Sequence, residues 1–99
     1  MEIGPGPSVI KHIGSILGLN IETFDLDQQL NPDHVGSVTD LLFADNAYDV
    51  VCGFQVLEHL PYDAALKAFE EMMRVGKRNV VISLPDAKAV WRYCFYIPK

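Results

Sequence analysis

Three groups of residues in this 99-residue chain have types and spacings suited to chemistry. The first is Gly4-Pro5-Gly6, which follows Met1-Glu2-Ile3 and precedes a helical pattern. Glycines between a strand and a helix let the backbone approach a ligand closely at the partly positive helix end. About twenty positions on, Asp25 ends a short apolar run, where a carboxylate accepts hydrogen bonds from ribose hydroxyls. A tight turn at Gly4–Gly6 and a turn or cap at Asp25 are the plain alternatives. The loop is not the dinucleotide fingerprint GxGxxG, because Val9 stands where the third glycine belongs. The second group is Glu58-His59. A histidine there offers a general base, and the alternative is a pair that only shapes the turn before Pro61. The third is Cys52 and Cys94, in apolar surroundings without CxxC spacing, which read as reduced buried thiols rather than a disulfide or metal site. His12 and His34 read as surface or packing residues, and Met72-Met73 as core.

These groups need elements to hold them. Val9, Ile10, Ile13, Ile16 and Leu17 recur at helical steps, with Pro7 suited to the first turn and Gly18 to the stop. Asn20–Phe24 reads as a strand, Asn31-Pro32-Asp33 as a turn, and His34–Val38 as a short strand. Tyr48–Phe54 is a buried strand. Pro61–Val75 is the strongest helix, with Ala65, Leu66, Phe69, Met72 and Met73 on one face and Lys67, Glu70, Glu71 and Arg74 largely away from it. Gly76 ends it, and Asn79–Leu84 is a second buried strand. The tail Ala87–Tyr96 is rich in large apolar groups and reads as helical after Asp86. Alternating strands and helices with near-continuous apolar strands predict an α/β fold with a parallel sheet.

Composition excludes several classes. Hydrophobic residues make up 49% and charged residues 21%, which is globular rather than disordered. A net charge of −5 without any Lys/Arg run argues against nonspecific nucleic-acid binding and against an anionic membrane surface. No apolar run is long enough to span a bilayer and no signal peptide is legible, so a cytoplasmic location is expected.

A third segment joins the first two. Gly36-Ser37-Val38-Thr39-Asp40-Leu41-Leu42-Phe43-Ala44-Asp45-Asn46-Ala47-Tyr48-Asp49-Val50-Val51 is followed by Phe54-Gln55-Val56-Leu57-Glu58-His59-Leu60. Together with Glu2–Gly6 and Phe24–Asp27, these closely resemble the class I S-adenosylmethionine-dependent methyltransferases, in the broad branch with "D-LPF-D-FD" and "VLEH" segments. The likeness covers residues 1–86, leaving 87–99 as an aromatic tail. It implies a Rossmann-like three-layer sandwich, S-adenosylmethionine as cofactor and an acceptor that the residues do not identify. By the same resemblance, Glu2, Gly4, Pro5 and Gly6 would hold the methionine part. Asp25 would take the ribose hydroxyls, with Leu26 beside the adenine and Asp27 sharing the acid role. Ser37 and Val38 would meet the adenine edge, with Ser37 replacing the usual acid, and Phe54 and Gln55 would flank the amino-acid end. His59 is the candidate base. Related ubiquinone-type enzymes carry a further glutamate where Gln55 stands, so no metal is expected.

The resemblance also expects a helix before the first strand and two strands after the fifth. With about five strands, the expected fold is incomplete, a partial domain over 1–99 with an open sheet edge that favours self-association through that edge and the aromatic tail. Two functional expectations follow: the S-adenosylmethionine-binding domain of a methyltransferase, or a catalytically inactive fragment or interaction module retaining the fold. A nicotinamide-dependent oxidoreductase is disfavoured by Val9 and by the Leu57-Glu58-His59 segment.

Overall fold

The computed structural model describes residues 1–6, 9–85 and 92–98. Its strands are β1 (Glu2–Ile3), β2 (Thr23–Asp25), β3 (His34–Val35), β4 (Tyr48–Phe54), β5 (Gly76–Pro85) and β6 (Arg92–Pro98). They form one sheet in the order β3-β2-β1-β4-β5-β6. The first five are parallel and β6 runs antiparallel to β5. The helices are α1 (Val9–Ile16) and α2 (Tyr62–Val75), with single 3-10 turns at Gln28–Leu30 and Leu57–His59. The α/β class and the parallel sheet expected from the sequence are both present.

β1 is two residues long yet sits at the centre. Glu2 N–H donates to the Glu22 carbonyl at 2.9 Å, and Cys52 N–H donates to the Met1 carbonyl at 2.8 Å. Strand order reverses between β1 and β4, so a crevice opens at their carboxyl ends, the usual ligand position in such sheets. The core lies between the sheet and α2. Ile3, Val51, Val80 and Ile82 pack with Met72 and Val75, and Met1, Phe24 and Leu41 complete the cluster.

Four expectations change. On α2, Met72 is buried and Phe69 and Met73 pack against the core as expected, but Leu66 is 46% exposed and the fully buried positions include Ala68 and Val75, which the expected face left out. Gly76 does end α2, but in an extended conformation that runs straight into β5. A Cβ there would lie 3.1 Å from the Met72 carbonyl oxygen and 3.2 Å from that of Asn79. The isoleucines of α1 face outward: Ile10 is 40% exposed, Ile13 half exposed and Ile16 84% exposed. That helix is held instead by Gly14, where an added Cβ would collide with Ile21 Cδ1, and by a Lys11–Asp33 ion pair.

The fourth change is the tail. Residues 92–98 form a strand, not a helix, paired with β5 from Pro85↔Arg92 to Asn79↔Pro98. Tyr93, Phe95, Tyr96 and Ile97 are strand-forming types, and the free edge of β5 supplies unpaired backbone groups for them. The expected open edge at β5 is therefore covered, and one strand after the fifth is accommodated; residues 87–91 of that expectation lie outside the described residues. The register also separates the cysteines, since β5 runs between Cys52 on β4 and Cys94 on β6. Two strand spacings are about 9–10 Å, beyond disulfide reach of about 7 Å. Burial pushes the Cys52 thiol up to about 11, so it stays protonated.

Candidate functional site

The carboxyl ends of β1, β2 and β4 surround a cavity of about 440 Å³, within the ordinary range for small-molecule sites. Its floor is Ile3, Gly4 and Gly6. Gly4 adopts φ +63°, and its N–H donates to the Phe24 carbonyl at 2.8 Å, so the loop leaves β1 while still tied to β2. A Cβ on Gly4 would stand 2.8 Å from Val56 Cγ2, so at this position no side chain fits without displacement. Gly6 is also left-handed, at φ +54°.

Phe24, Asp25 and Leu26 form the wall from β2. One Asp25 carboxylate oxygen accepts the Asp27 N–H at 3.1 Å, an Asx turn that fixes the acid at the strand end. Asp27 does not line the cavity; its carboxylate accepts the Gln29 N–H at 2.9 Å and caps the 3-10 turn. The two acids therefore have separate positions, and Asp25 is the one at the cavity.

The opposite wall is Ser37, Val38 and Thr39. The Ser37 and Thr39 hydroxyls lie 2.8 Å apart, and Thr39 N–H donates to Ser37 Oγ at 3.3 Å. The segment carrying them is held by α2. Leu41 N–H donates to Glu71 Oε1 at 3.0 Å, and Arg74 donates to the Leu41 and Phe43 carbonyls, each at 2.7 Å. Those interactions hold the Glu71 carboxyl below its ordinary value, chiefly through Arg74, and raise Arg74 further, chiefly through Glu71.

Gln55, Val56, His59 and Leu60 close the β4 side. Gln55 is left-handed at φ +56°, a conformation uncommon for its type, and its N–H is shared by Ser83 O at 3.0 Å and Ser83 Oγ at 3.1 Å. His59 has a 78% exposed side chain and lies 3.8 Å from Glu58. Glu2 sits just beneath the loop. It is only 4% exposed, and its Oε1 has no hydrogen-bond partner. Burial pushes its carboxyl above the ordinary value, partly offset by the Met1 ammonium.

Of the residues singled out from the sequence, Gly4, Gly6, Asp25, Leu26, Ser37, Val38, Gln55 and His59 line this one cavity. Glu2, Pro5 and Phe54 adjoin lining residues without lining it, and Asp27 points to its cap. Ile3, Phe24, Thr39, Val56 and Leu60 also line it and went unremarked as site residues, although each is next to one that was named. Among the described residues, no three His, Cys, Asp or Glu side chains group as metal ligands. No helix among them is long and apolar enough to cross a membrane.

Residues 7–84 match the family described as Methyltransferase domain. That span is well over half of the chain, so the chain belongs to the methyltransferase-domain family, with a partial class I, Rossmann-like fold. It is similar to the PH0226 protein from Pyrococcus horikoshii OT3, at 17% identity and a TM-score of 0.78 over 88% of this chain and 46% of that one. A SAM-dependent methyltransferase from Archaeoglobus fulgidus matches at 17% identity and a TM-score of 0.75, over 89% and 45%. The cyclase SpnF shares the fold at 16% identity and a TM-score of 0.65, over 91% and 42%. The chain thus spans less than half the length of these solved structures. No curated protein matches its sequence.

Proposed function

We propose that this chain binds S-adenosylmethionine in the cavity at the carboxyl ends of β1, β2 and β4, as the cofactor-binding part of a methyltransferase. One observation carries the reading. A loop whose Gly4 leaves no room for a Cβ, a fixed acid at Asp25 and the Ser37–Thr39 wall face one cavity at the point where strand order reverses. The donor set fits the ligand's chemistry. Asp25 keeps an oxygen for a diol, and Phe24, Leu26 and Val38 offer apolar surface to a flat base. Glu2, buried with an unpartnered oxygen, favours a cationic group near the loop. Ser37, in place of an acid, can donate or accept at the base edge.

When bound, S-adenosylmethionine supplies an electrophilic methyl group on a sulfonium. The chain's own part is positional: Gly4 brings backbone to the ligand, Asp25 orients it, and Gln55, held by Ser83, shapes the end where an acceptor would approach. His59 is the candidate proton acceptor, an exposed imidazole at the rim. The acceptor is a small molecule or macromolecule of unassigned class. The second reading is a catalytically inactive fragment or interaction module retaining the fold, and SpnF, a cyclase on the same fold, illustrates that fold does not fix reaction. Calorimetric titration with S-adenosylhomocysteine and NAD tests the cofactor. The first should bind and the second should not, and Asp25→Ala should weaken binding by about 1.5–3 kcal/mol, the range for hydrogen bonds to a charged acceptor. Unchanged affinity in a folded Asp25→Ala variant removes Asp25 from the site.

A further inference from the structure

The segment between β3 and β4 supplies Ser37, Val38 and Thr39 to the cavity, yet it leaves the sheet as soon as β3 ends at Val35. Its course beyond Thr39 is set by two side chains in the last turns of α2. Glu71 Oε1 accepts the Leu41 N–H at 3.0 Å, and Arg74 Nη2 donates to the Leu41 carbonyl at 2.7 Å, so Leu41 is gripped at both backbone groups. Arg74 Nη1 donates to the Phe43 carbonyl at 2.7 Å and to Asp45 Oδ1 at 2.9 Å. Its remaining N–H groups return to Glu71 at 2.6 Å and 3.2 Å. All five guanidinium donors are used, in the fixed fork geometry that only arginine presents. The Arg74 carbonyl also accepts the Asn46 N–H at 2.9 Å.

This grip is mechanically close to the cavity. Asp40 N–H donates to the Ser37 carbonyl at 3.2 Å, closing a turn whose hydroxyls are already tied together. The next residue is Leu41, whose side chain is buried in the core. No slack remains between the Ser37–Thr39 wall and the guanidinium. We propose that Arg74 is a positioning residue for the Ser37–Thr39 wall of the cavity, fixing it through the Leu41 and Phe43 carbonyls although Arg74 itself lines no part of the site. The inference rests on the cofactor reading above. It adds that affinity for the nucleoside part depends on an arginine remote from the ligand. Lysine cannot substitute, since one ammonium with three donors cannot serve two carbonyls and two carboxylates in a plane.

The test is calorimetric titration of the full chain with S-adenosylhomocysteine and, separately, adenosine, using wild type, Arg74→Lys and Phe69→Ala. Phe69→Ala is the control for general loss of stability, because Phe69 packs against the core and does not line the cavity. Titrations run at a temperature where circular dichroism shows each variant folded. Chymotryptic cleavage at Leu42 and Phe43 reports the segment directly. Arg74→Lys should bind both ligands about tenfold or more weakly. It should also be cut faster than wild type, with saturating S-adenosylhomocysteine slowing the cut, while Phe69→Ala binds as wild type does. A folded Arg74→Lys with wild-type affinity overturns the inference and leaves the cofactor reading standing. Wild type binding neither ligand overturns the cofactor reading, and this inference with it. Should Arg74→Lys fail to fold, Glu71→Gln, which removes the charge orienting the guanidinium, should weaken both ligands by about three- to fivefold. Unchanged affinity there overturns the inference equally.

Discussion

Replacing Gly4 by alanine should damage both stability and ligand affinity, and the structure divides the damage into two parts. The backbone at Gly4 has φ +63°, a left-handed conformation that costs an ordinary residue about 1–2 kcal/mol. The new Cβ would then stand 2.8 Å from Val56 Cγ2, where carbon atoms ordinarily settle about 3.5–4.0 Å apart. Valine is stiff about its first side-chain torsion, so relief must come from moving the backbone around Val56. Overpacking of this kind costs about 1–3 kcal/mol, which brings the expected loss for Gly4→Ala to about 2–5 kcal/mol. Gly6→Ala is the internal control. It shares the left-handed conformation at φ +54°, but nothing lies within 4 Å of its added Cβ, so only the conformational part of about 1–2 kcal/mol applies.

Urea unfolding of the two variants separates these contributions. With a slope of about 1–3 kcal/mol per molar urea, the contact with Val56 should lower the Gly4→Ala midpoint by about 1 M more than that of Gly6→Ala. Because Val56 lines the cavity, its displacement should also weaken S-adenosylhomocysteine more in Gly4→Ala than in Gly6→Ala. Equal losses of stability in the two variants would refute the close approach of Gly4 to Val56. A loss below about 0.5 kcal/mol in both would refute the left-handed loop itself.

Three further outcomes are expected. Met72→Ala should cost about 2–5 kcal/mol because Met72 is fully buried, whereas Phe69→Ala, half-buried where it packs against the core, should cost about half the 3–5 kcal/mol of a buried phenylalanine; denaturation curves rank the two. Glu22, Asp33 and Glu71 are held below their ordinary values of 4.5, 3.8 and 4.5, chiefly by Tyr48, Lys11 and Arg74 respectively. Their stabilisation is present above those values and is lost as pH falls through the lowered folded ones. Glu2 has the opposite sign: its carboxyl is raised, so its contribution is present below 4.5 and is lost as pH rises through the folded value. Glu2→Gln should therefore melt higher than wild type at neutral pH, and the two curves should converge towards acid in thermal scans from about pH 3 to about pH 8. Ile16→Lys, on the exposed face of α1, should shift stability by less than about 0.5 kcal/mol, as read from the urea midpoint.

The site was more legible in the sequence than the packing around it, for a physical reason. Gly4, Asp25, Ser37 and Gln55 stand at strand ends, and in a parallel sheet every such end arrives on the same edge, so chain order alone brings them together. Contacts between elements distant in sequence have no such guarantee. Glu71 and Arg74 form a helical i,i+3 pair, the commonest pattern of a solvated face, and their bonds to residues 41–45 span about thirty positions with no local trace. Periodicity identified α1 as amphipathic, yet a helix held by Gly14 against Ile21 leaves its isoleucines outside. In the tail, aromatic residues suit either a helix or a strand. The free edge of β5 decided for the strand, and that edge exists only once the sheet has formed.

The shortness of β1 raises the question of what keeps the glycine loop in place. Two residues cannot define a strand direction by themselves, and here the neighbours define it. Glu2 is in register with Thr23 on one side and Cys52 on the other, and Ile3 with Phe24 and Gly53. Gly4 still donates to the Phe24 carbonyl after the strand has formally ended. Gly53 matters on the other side, since a Cβ there would sit 3.2 Å from the Met72 methyl carbon and 3.7 Å from Val56 Cγ2. The loop thus inherits its position from β2 and from the β4–α2 packing rather than from its own strand. The same α2 carries Arg74 and Glu71, which hold the opposite wall of the cavity. Both walls are therefore referred to one helix. Met72 is the α2 side chain that meets Gly53, so truncating it should move the glycine loop while leaving every lining residue intact.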